Sequence, residues 1–508
     1  MKKIISICLL AALLLCGCGG PAAYVPTGDG LFQDSQTDPV PTQPQQPQDQ
    51  TITLGYYPDH SLNPYTSTEI AHKLIFSLVY QGLFVVDDQY NVSPMLCKNF
   101  SISKDHRTYV FYPEKATFAD GTPVTTADIV ASLEAAKASP VYAGRLRQID
   151  SISATEDGGV EIICNTPYEN LPLLLDIPIV KADETDAPMP TGTGPYRYEM
   201  GMMGLQLQRR DNWWCRANLP ISAPSISLLR VDKPATMRDD FELDNISIVC
   251  ADPGSDTYVD YRCDYELWDV ESGYFLYLAC CKNSKIFSNA TVRAALTHAI
   301  DRDLLVTEYY RDFAMSAYLP ASPQSPGYSA SLAVQYGYAP EKFQQALEEA
   351  AFEDMNITLL VNSADSRRVR AARAIADMLA VYGFTVTVDA RKDSSYTYAL
   401  RTQIYDLHLG QTKLSANMDL SAFFDPDGAL SYGGLADAAS YVLAQGALEN
   451  SANIPHLYKR VMSNGMLCPI LFRTQAIYVQ RGLLETLNPA TGHIFYYSLG
   501  RTMESAKI

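Results

Sequence analysis

The sequence predicts an α/β protein, and this prediction rests mainly on residues 357–389. Ile357–Val361 is a short apolar run typical of a buried strand, and Phe384–Asp389 alternates between apolar and polar residues. Between them, Arg367–Tyr382 has helical spacing and is followed by Gly383, a residue type common just beyond helix ends. A strand, a helix and a strand at this spacing predict a βαβ unit. The chain of 508 residues is long enough for roughly three domains of about 150 residues.

The other elements are predicted from local patterns in chain order. Thr125 and Asp128 match a capping box, so a helix is predicted to begin after Thr125 and to run through Ala138. Ser288 or Asn289 can cap a later helix. The apolar stripe of that helix consists of Val292, Ala295, Leu296, Ala299 and Ile300. Strands are further predicted at 52–56, 108–112 and 160–163, a helix at 70–79, and turns at 62–65 and 120–121.

The composition restricts the class of protein. The formal net charge is −18, from 57 acidic and 39 basic residues, and 47% of the residues are hydrophobic. A nucleic-acid-binding protein needs a basic surface for phosphates, so the acidic balance argues against that class. It also disfavours electrostatic adsorption to anionic lipid. The sequence therefore predicts a folded, acidic protein without a nucleic-acid partner.

The N-terminus predicts export. Residues 1–17 combine two lysines with an apolar run too short to span a bilayer, which predicts a signal peptide. Leu15-Cys16-Gly17-Cys18 resembles a bacterial lipoprotein box, so Cys18 is the predicted lipidation site. Cys16 fits less well, because it follows a large residue. The alternative is an ordinary secretory signal, with Cys18 incidental. Residues 18–50 are rich in Pro and Gln and predict a flexible tether.

Cysteine and histidine usage does not predict a metal site or a catalytic centre. Eight of the eleven cysteines lie beyond the signal region, scattered and without a C-x-x-C pair, so four disulfides and free buried thiols both stay open. The sequence has no phosphate-binding loop, zinc-protease motif or nucleophile elbow. We therefore predict neither an enzyme nor a bound cofactor.

Several stretches, in the expected order, resemble one family, the bacterial extracellular solute-binding proteins of family 5. This family includes peptide, dipeptide and nickel receptors of ABC importers. The most specific match is Phe118-Ala-Asp-Gly-Thr-Pro-Val-Thr-Thr-Ala-Asp-Ile-Val130. The others are Leu62–Tyr65, Val79–Phe84 leading to Ser93–Leu96, Pro190–Tyr196, Val292–Arg302, Tyr405–Gly410 and Leu467–Phe472.

The resemblance implies a two-lobe fold of the periplasmic-binding-protein type (class II, peptide-binding), with an extra subdomain in the first lobe. The main domain of the first lobe is expected to comprise residues 51–92, 188–268 and 469–508. Residues 93–187 are expected to form the extra subdomain, and residues 269–468 the second lobe.

The resemblance also implies where a ligand binds. In peptide-binding members, a carboxylate of the second lobe meets the ligand's ammonium group, usually after a Gly-Trp segment. Here Gly410 is followed by Gln411-Thr-Lys-Leu-Ser-Ala-Asn-Met-Asp419, without a Trp. Asp419 is therefore the expected amine-binding carboxylate, and Gln411 and Asn417 are further ligand-binding candidates. The alternative for Asp419 is a helix cap or a solvated loop acid.

Three more residues are considered as possible contacts of the ligand. Asn63 and Tyr65 are expected near the cleft edge of the first lobe. Lys413 can serve an acidic ligand group or be a surface charge, and the surface interpretation is the usual one for lysine.

The function implied is that of a monomeric, lipid-anchored, extracytoplasmic receptor. It would capture an oligopeptide or another small solute and deliver it to the permease and ATPase subunits of an ABC importer. The alternatives are a peptide- or pheromone-sensing surface receptor and a binder of a nickel chelate, a sugar or haem. A surface hydrolase is disfavoured by the missing motifs.

Overall fold

The structure, a computed structural model, describes residues 52–215 and 221–499 and the backbone of 506–507. The predicted signal peptide, Cys18 and the tether lie outside the described residues. The strands are β1 (Ile52–Tyr56), β2 (Phe84–Val86), β3 (Val92–Pro94), β4 (Cys97–Ile102), β5 (Thr108–Pro113), β6 (Ile149–Ala154), β7 (Val160–Cys164), β8 (Tyr196–Gly201), β9 (Gly204–Arg209), β10 (Ser225–Arg230), β11 (Ile248–Ala251), β12 (Tyr265–Cys280), β13 (Ala314–Ser316), β14 (Asn356–Asn362), β15 (Thr385–Arg391), β16 (Leu407–Lys413), β17 (Leu467–Gln480) and β18 (Ala506–Lys507). The helices are α1 (His72–Val79), α2 (Thr126–Ala138), α3 (Pro234–Glu242), α4 (Ala290–Ala295), α5 (Arg302–Leu304), α6 (Ala330–Ala333), α7 (Pro340–Ala350), α8 (Ser366–Ala380), α9 (Asp393–Thr402), α10 (Ser421–Phe424), α11 (Ala438–Glu449) and α12 (Ile454–Asn464).

The predicted α/β class and βαβ unit are confirmed. β14 and β15 pair in parallel over their whole length, and α8 connects them. The capping box that starts α2 is also confirmed, because Thr125 Oγ1 accepts from the Asp128 amide and the Thr125 amide donates to Asp128 Oδ2 at 2.8 Å. Both patterns are local, so neighbouring residues alone determine them.

The helix predicted through Ile300 is shorter than expected. Asn289 caps α4 as predicted, but the α-helix ends at Ala295 and a 3-10 turn follows. The buried Arg302 guanidinium accounts for the difference, because it donates to the carbonyl oxygens of Thr297 at 3.0 Å and Ile300 at 3.2 Å. A side chain thus binds carbonyl groups that a continued α-helix would use for its own hydrogen bonds.

The largest sheet has the order β15-β14-β16-β12-β17-β11-β1-β10-β9-β8, with β13 also paired to β17. β12 and β17, the fourth and fifth strands in this order, are antiparallel and are the longest, with 16 and 14 residues. One half of this pair carries β16 and the other half carries β11. The β12–β17 register is irregular between Glu271 and Phe275, where Gly273 has a φ of 77°. β12 and β17 therefore connect two halves of the sheet through an irregular central segment.

Two large hydrophobic clusters match these halves. One is built mainly from residues 275–472, and the other mainly from residues 52–270 and 477–495. The fold thus has two lobes, as predicted. The predicted lobe boundaries, 268/269 and 468/469, fall inside the continuous strands β12 and β17.

The region predicted as the extra subdomain contains α2 and most of a separate sheet. That sheet has the order β18-β4-β5-β7-β6. β18 was expected with the main domain of the first lobe, but it pairs with β4. The exact domain limits stay a prediction.

Candidate functional site: charged groups between the two lobes

The predicted site residues Asn417 and Asp419 lie on the segment that follows β16. β16 ends at Lys413, and the Leu414 amide still donates to a carbonyl of β12 at 2.9 Å. Met418, with a φ of 51°, then reverses the chain before α10. The turn brings Asn417 to the first lobe, where its Nδ2 lies 2.5 Å from the Tyr168 hydroxyl. The second lobe thus contacts the predicted extra subdomain through this segment.

Asp419 binds both lobes. Its Oδ2 accepts from Arg147 Nη2 and, at 3.4 Å, from Gln148 Nε2 of the first lobe. Its Oδ1 accepts from the Ser421 amide at 2.8 Å and from the Ser421 hydroxyl at 2.6 Å. A carboxylate offers about four acceptor positions, so these contacts fill them. Asp419 thus forms an ion pair across the lobes and binds Ser421 at the start of α10 without being its N-cap, and its ligand role stays a prediction.

Asn63 and Tyr65 are buried in the first lobe. Asn63 Nδ2 donates to the carbonyl oxygens of Thr185 at 2.7 Å and Ala187 at 2.8 Å. The Tyr65 hydroxyl donates to the carbonyl oxygen of Pro178 at 2.7 Å. Each side chain thus holds distant backbone segments together. Their ligand role stays a prediction, which these contacts do not favour.

Gln411 belongs to a network centred on Arg473 of β17. The Arg473 side chain is 8% exposed, and its Nη2 binds both carboxylate oxygens of Asp252, at 2.7 and 2.8 Å. Its Nη1 donates to Gln411 Oε1 at 3.2 Å, and its guanidinium lies 5.5 Å from the ring centre of Tyr274. Gln411 therefore contacts the charged connection between the lobes, and its ligand role also stays a prediction.

Two lysines near this network lack a carboxylate partner. Lys73 of α1 is partly buried, and its Nζ donates to Gln475 Oε1 of β17 at 2.9 Å. Lys413 lies against Gly273 of β12, since a Cβ built at Gly273 would be 3.5 Å from Lys413 Cγ. Within 52–215 and 221–499, neither lysine is within ion-pair distance of an acidic side chain. Neither positive charge is therefore compensated by a direct ion pair in this part of the chain.

The surroundings of Lys413 oppose its charge. Burial lowers the pKa of Lys413 to about 7, and the positive charges of Lys73 and Arg145 act in the same direction. Burial also lowers the pKa of Lys73, although nearby Asp252 favours its charged form. Lys413 still exposes much of its surface. A lysine surrounded by protein and yet reached by solvent is expected in a cleft.

Arg145 differs from the two lysines, because it has a carboxylate partner. Its Nη2 forms an ion pair with Asp176, whose side chain is buried. Burial lowers the pKa of Arg145 to about 10. Asp176 is therefore a direct ion-pair partner of this guanidinium, whereas Lys413 has no acid within ion-pair distance in the described part of the chain.

A further polar contact joins the lobes beside the irregular segment of β12. The buried Glu271 accepts from the Tyr90 hydroxyl at 3.0 Å and from the Ser322 hydroxyl. Burial raises the pKa of Glu271. Tyr90 lies in the first lobe and Ser322 in the second, so this carboxyl group is a point of contact between them.

Sequence reasoning missed the residues that complete this site. They are Lys73, Arg145, Arg147, Asp252 and Arg473. None of them lies in a chemical motif, and the fold alone brings them together. The one local signal is the Arg-x-Arg pair at 145 and 147 in an acidic chain, which does not indicate a function by itself.

Two features are absent from the described residues. No group of three or more His, Cys, Asp and Glu side chains there could hold a metal ion. In the same residues, no helix combines the length and the apolar character needed to cross a membrane.

Two lobes that are joined by paired strands and meet through charged side chains are typical of a hinged binding protein. The chain belongs to the bacterial extracellular solute-binding proteins, family 5, whose profile matches residues 91–432. This is a family of binding proteins, and the predicted family is confirmed.

Relatives of low sequence identity are also named as binding proteins. A Brucella ovis protein, provisionally named as the peptide-binding protein of an ABC transporter, is 24% identical over 349 residues. That alignment covers 63% of this chain and 65% of the relative, which is less than two thirds of the relative's length. The glutathione-binding protein GsiB of Pectobacterium atrosepticum is 27% identical over 348 residues, covering 65% of this chain and 67% of GsiB.

Solved structures confirm the predicted fold. NikA from Brucella suis, in complex with Fe(III)-EDTA, has a TM-score of 0.67 at 19% identity, covering 87% of this chain and 98% of NikA. The oligopeptide-binding protein AppA from Bacillus subtilis, in complex with a nonapeptide, has a TM-score of 0.59 at 18% identity, covering 89% and 99%.

Proposed function

We propose that this protein is the solute-binding component of an ABC importer. It captures an extracytoplasmic solute, an oligopeptide, between its lobes and delivers it to a membrane permease, while a separate subunit hydrolyses ATP. The family match over residues 91–432 carries this proposal. The names of the Brucella ovis and Pectobacterium relatives support a peptide as the ligand, since glutathione is itself a tripeptide.

Native mass spectrometry of the protein purified from its own cells tests the ligand class. We expect a bound species of peptide mass that is lost on denaturation. As a control, protein refolded without ligand should bind peptides from a defined mixture. A co-purified sugar or metal chelate, with no peptide bound after refolding, would contradict the peptide proposal.

Uptake measurements test the transport role. Cells that lack this protein should lose uptake of the identified peptide, and the wild-type gene should restore it. Normal uptake in the deletion strain, together with a lost transcriptional response to the peptide, would instead indicate a sensing receptor.

We further propose that a lipid on Cys18 anchors the protein outside the cytoplasm. The support is the Leu15-Cys16-Gly17-Cys18 pattern and the Pro/Gln-rich segment after it. Cys18→Ala should release the protein from the membrane fraction, and Cys16→Ala is the matched control that should stay bound. Retention of Cys18→Ala, with no lipid mass on wild type, would overturn the anchor.

The protein is proposed to act as a monomer that closes on its ligand. Closure buries surface that is wet in an open form, so saturating peptide should reduce the radius measured by small-angle scattering. Ligand should also stabilise the fold, by about 2.7 kcal/mol at a hundredfold excess over Kd. An unchanged radius at saturation, or the scattering mass of a dimer, would contradict this proposal.

A further inference from the structure

Lys73 and Lys413 approach the paired strands β17 and β12, respectively, from different lobes. Lys73 reaches Gln475 of β17, and Gln475 lies opposite Val270 of β12. Lys413 ends β16 opposite Tyr274, four positions further along β12. The irregular segment of β12 lies between these two points. The two lysines thus flank the connection between the lobes.

Gly273 directs Lys413 along this segment. A Cβ built there would lie 3.5 Å from Cγ and 3.7 Å from Cε of Lys413, so most of the lysine side chain follows β12. An extended lysine on the outer surface would point into bulk solvent instead. This path explains how Lys413 keeps exposed area and is nevertheless surrounded by protein.

The neighbouring acids already have partners, and Glu271 of the irregular segment is bound by the Tyr90 and Ser322 hydroxyl groups. Asp252, the acid that most favours a charged Lys73, is held through both oxygens by Arg473. Asp176 is held by Arg145. The cleft therefore contains two cations in excess of its paired charges. Charges withdrawn from water are normally paired, so this excess calls for a counter-ion.

We propose that Lys73 and Lys413 form a binding site for a carboxylate of the transported solute. The inference rests on the proposed function and extends it by naming the ligand group that the cleft selects. Lys73 supplies an ammonium from the first lobe and Lys413 one from the second. A carboxylate between them is bound best when the lobes close, because closure brings both donors to the same anion.

Calorimetric titration tests this site with probes that differ in one charge. The probes are trialanine to pentaalanine, the same peptides with C-terminal amides, and succinate. Each is titrated at pH 6.5 and constant ionic strength into wild type, Lys413→Met and Lys73→Met, all refolded without ligand. Lys342→Met, at an exposed lysine of α7, is the matched control for loss of one positive charge.

We expect the free-acid peptides to bind wild type more than about tenfold more tightly than their amides, because the amide leaves the lysines uncompensated. Lys413→Met and Lys73→Met should abolish this preference, and Lys342→Met should keep it. Circular dichroism checks that each variant is folded. If Lys73→Met does not fold, Lys413→Met and Lys413→Gln decide the result.

The outcomes separate this inference from the peptide proposal. If acid and amide bind equally to wild type, peptide binding stands and the carboxylate site is wrong. If no peptide binds but succinate binds wild type and not Lys413→Met, the site stands and the peptide proposal is wrong. If no probe shows binding that depends on Lys413, the site is overturned.

Discussion

Asp419 and Lys413 lie six positions apart on one segment of the second lobe, but only the Asp419 charge has an oppositely charged partner among the described residues. The Asp419 carboxylate binds Arg147 and Gln148 across the lobes and Ser421 at the start of the next helix. Lys413 has no acidic partner among the described residues, and burial, together with two nearby cations, lowers its pKa. The acceptor positions of Asp419 are filled without a ligand, whereas Lys413 lacks a counter-charge in this part of the chain. The difference indicates that the lysine, rather than the acid, is the group that requires a ligand.

Paired and unpaired charges also have different consequences for stability. Breaking a buried ion pair leaves a charge without compensation and is strongly destabilising. Removing a buried charge that has no partner instead relieves an unfavourable burial. Removing a paired charge should therefore lower the free energy of unfolding, whereas removing an unpaired buried charge should raise it.

The largest effect is expected at Arg473, the most buried member of the paired charges. Arg473→Met leaves Asp252 without its partner, and we expect the free energy of unfolding to fall by about 3–5 kcal/mol. Urea denaturation measures this loss. The control is Arg481→Met, which breaks an ion pair with Asp264 that is 62% and 74% exposed. It should change stability by less than about 1 kcal/mol, and a similar loss at both sites would contradict the account.

Asp419→Asn should have a smaller effect of the same sign. The variant loses charge-assisted hydrogen bonds to Arg147 and Ser421, so we expect a loss of about 1.5–3 kcal/mol in unfolding free energy. A double-mutant cycle with Arg147→Met isolates the pair, and a coupling near zero would refute the contact between the lobes.

The same Asp419→Asn variant tests the predicted amine site. A ligand ammonium would have to replace Arg147 or Gln148, so we expect trialanine affinity to change less than in Lys413→Met. If instead trialanine loses more than about tenfold while N-acetyltrialanine loses little, Asp419 binds the amine as the family resemblance implies.

An effect of opposite sign is expected at Lys413. Its pKa in the folded protein is about 7, against an ordinary value of 10.5, so between these values the unfolded chain binds more protons. Wild-type stability from this group therefore rises as pH increases from about 7 towards 10. Lys413→Met should lack this component and should be the more stable protein at pH 6. Parallel pH profiles for both proteins would contradict the lowered pKa.

The local structure was predictable from the sequence, and the charged contacts were not. The capping box at Thr125 depends on residues three positions apart, so the sequence alone could indicate it. Arg147 and Asp419 are 272 positions apart, and Lys73 and Gln475 are 402. The shortened α4 has the same cause, since the buried Arg302 is also held by the carbonyl oxygen of Pro469, 167 positions away. The family resemblance correctly indicated the lobes, but it could not show that an arginine already binds Asp419.

The central claim is that Lys413 is an uncompensated charge that requires an anionic ligand. The protonation of Lys413 tests this claim most directly. In protein with 13C-labelled lysine, the Cε chemical shift reports the protonation of each Nζ, and Lys413→Met assigns the signal. We predict that this signal titrates near pH 7 in the free protein and at a clearly higher pH with saturating trialanine or succinate. Titration near the ordinary lysine value of 10.5, unchanged by either anion, would show that Lys413 is a solvated surface charge and would contradict the account.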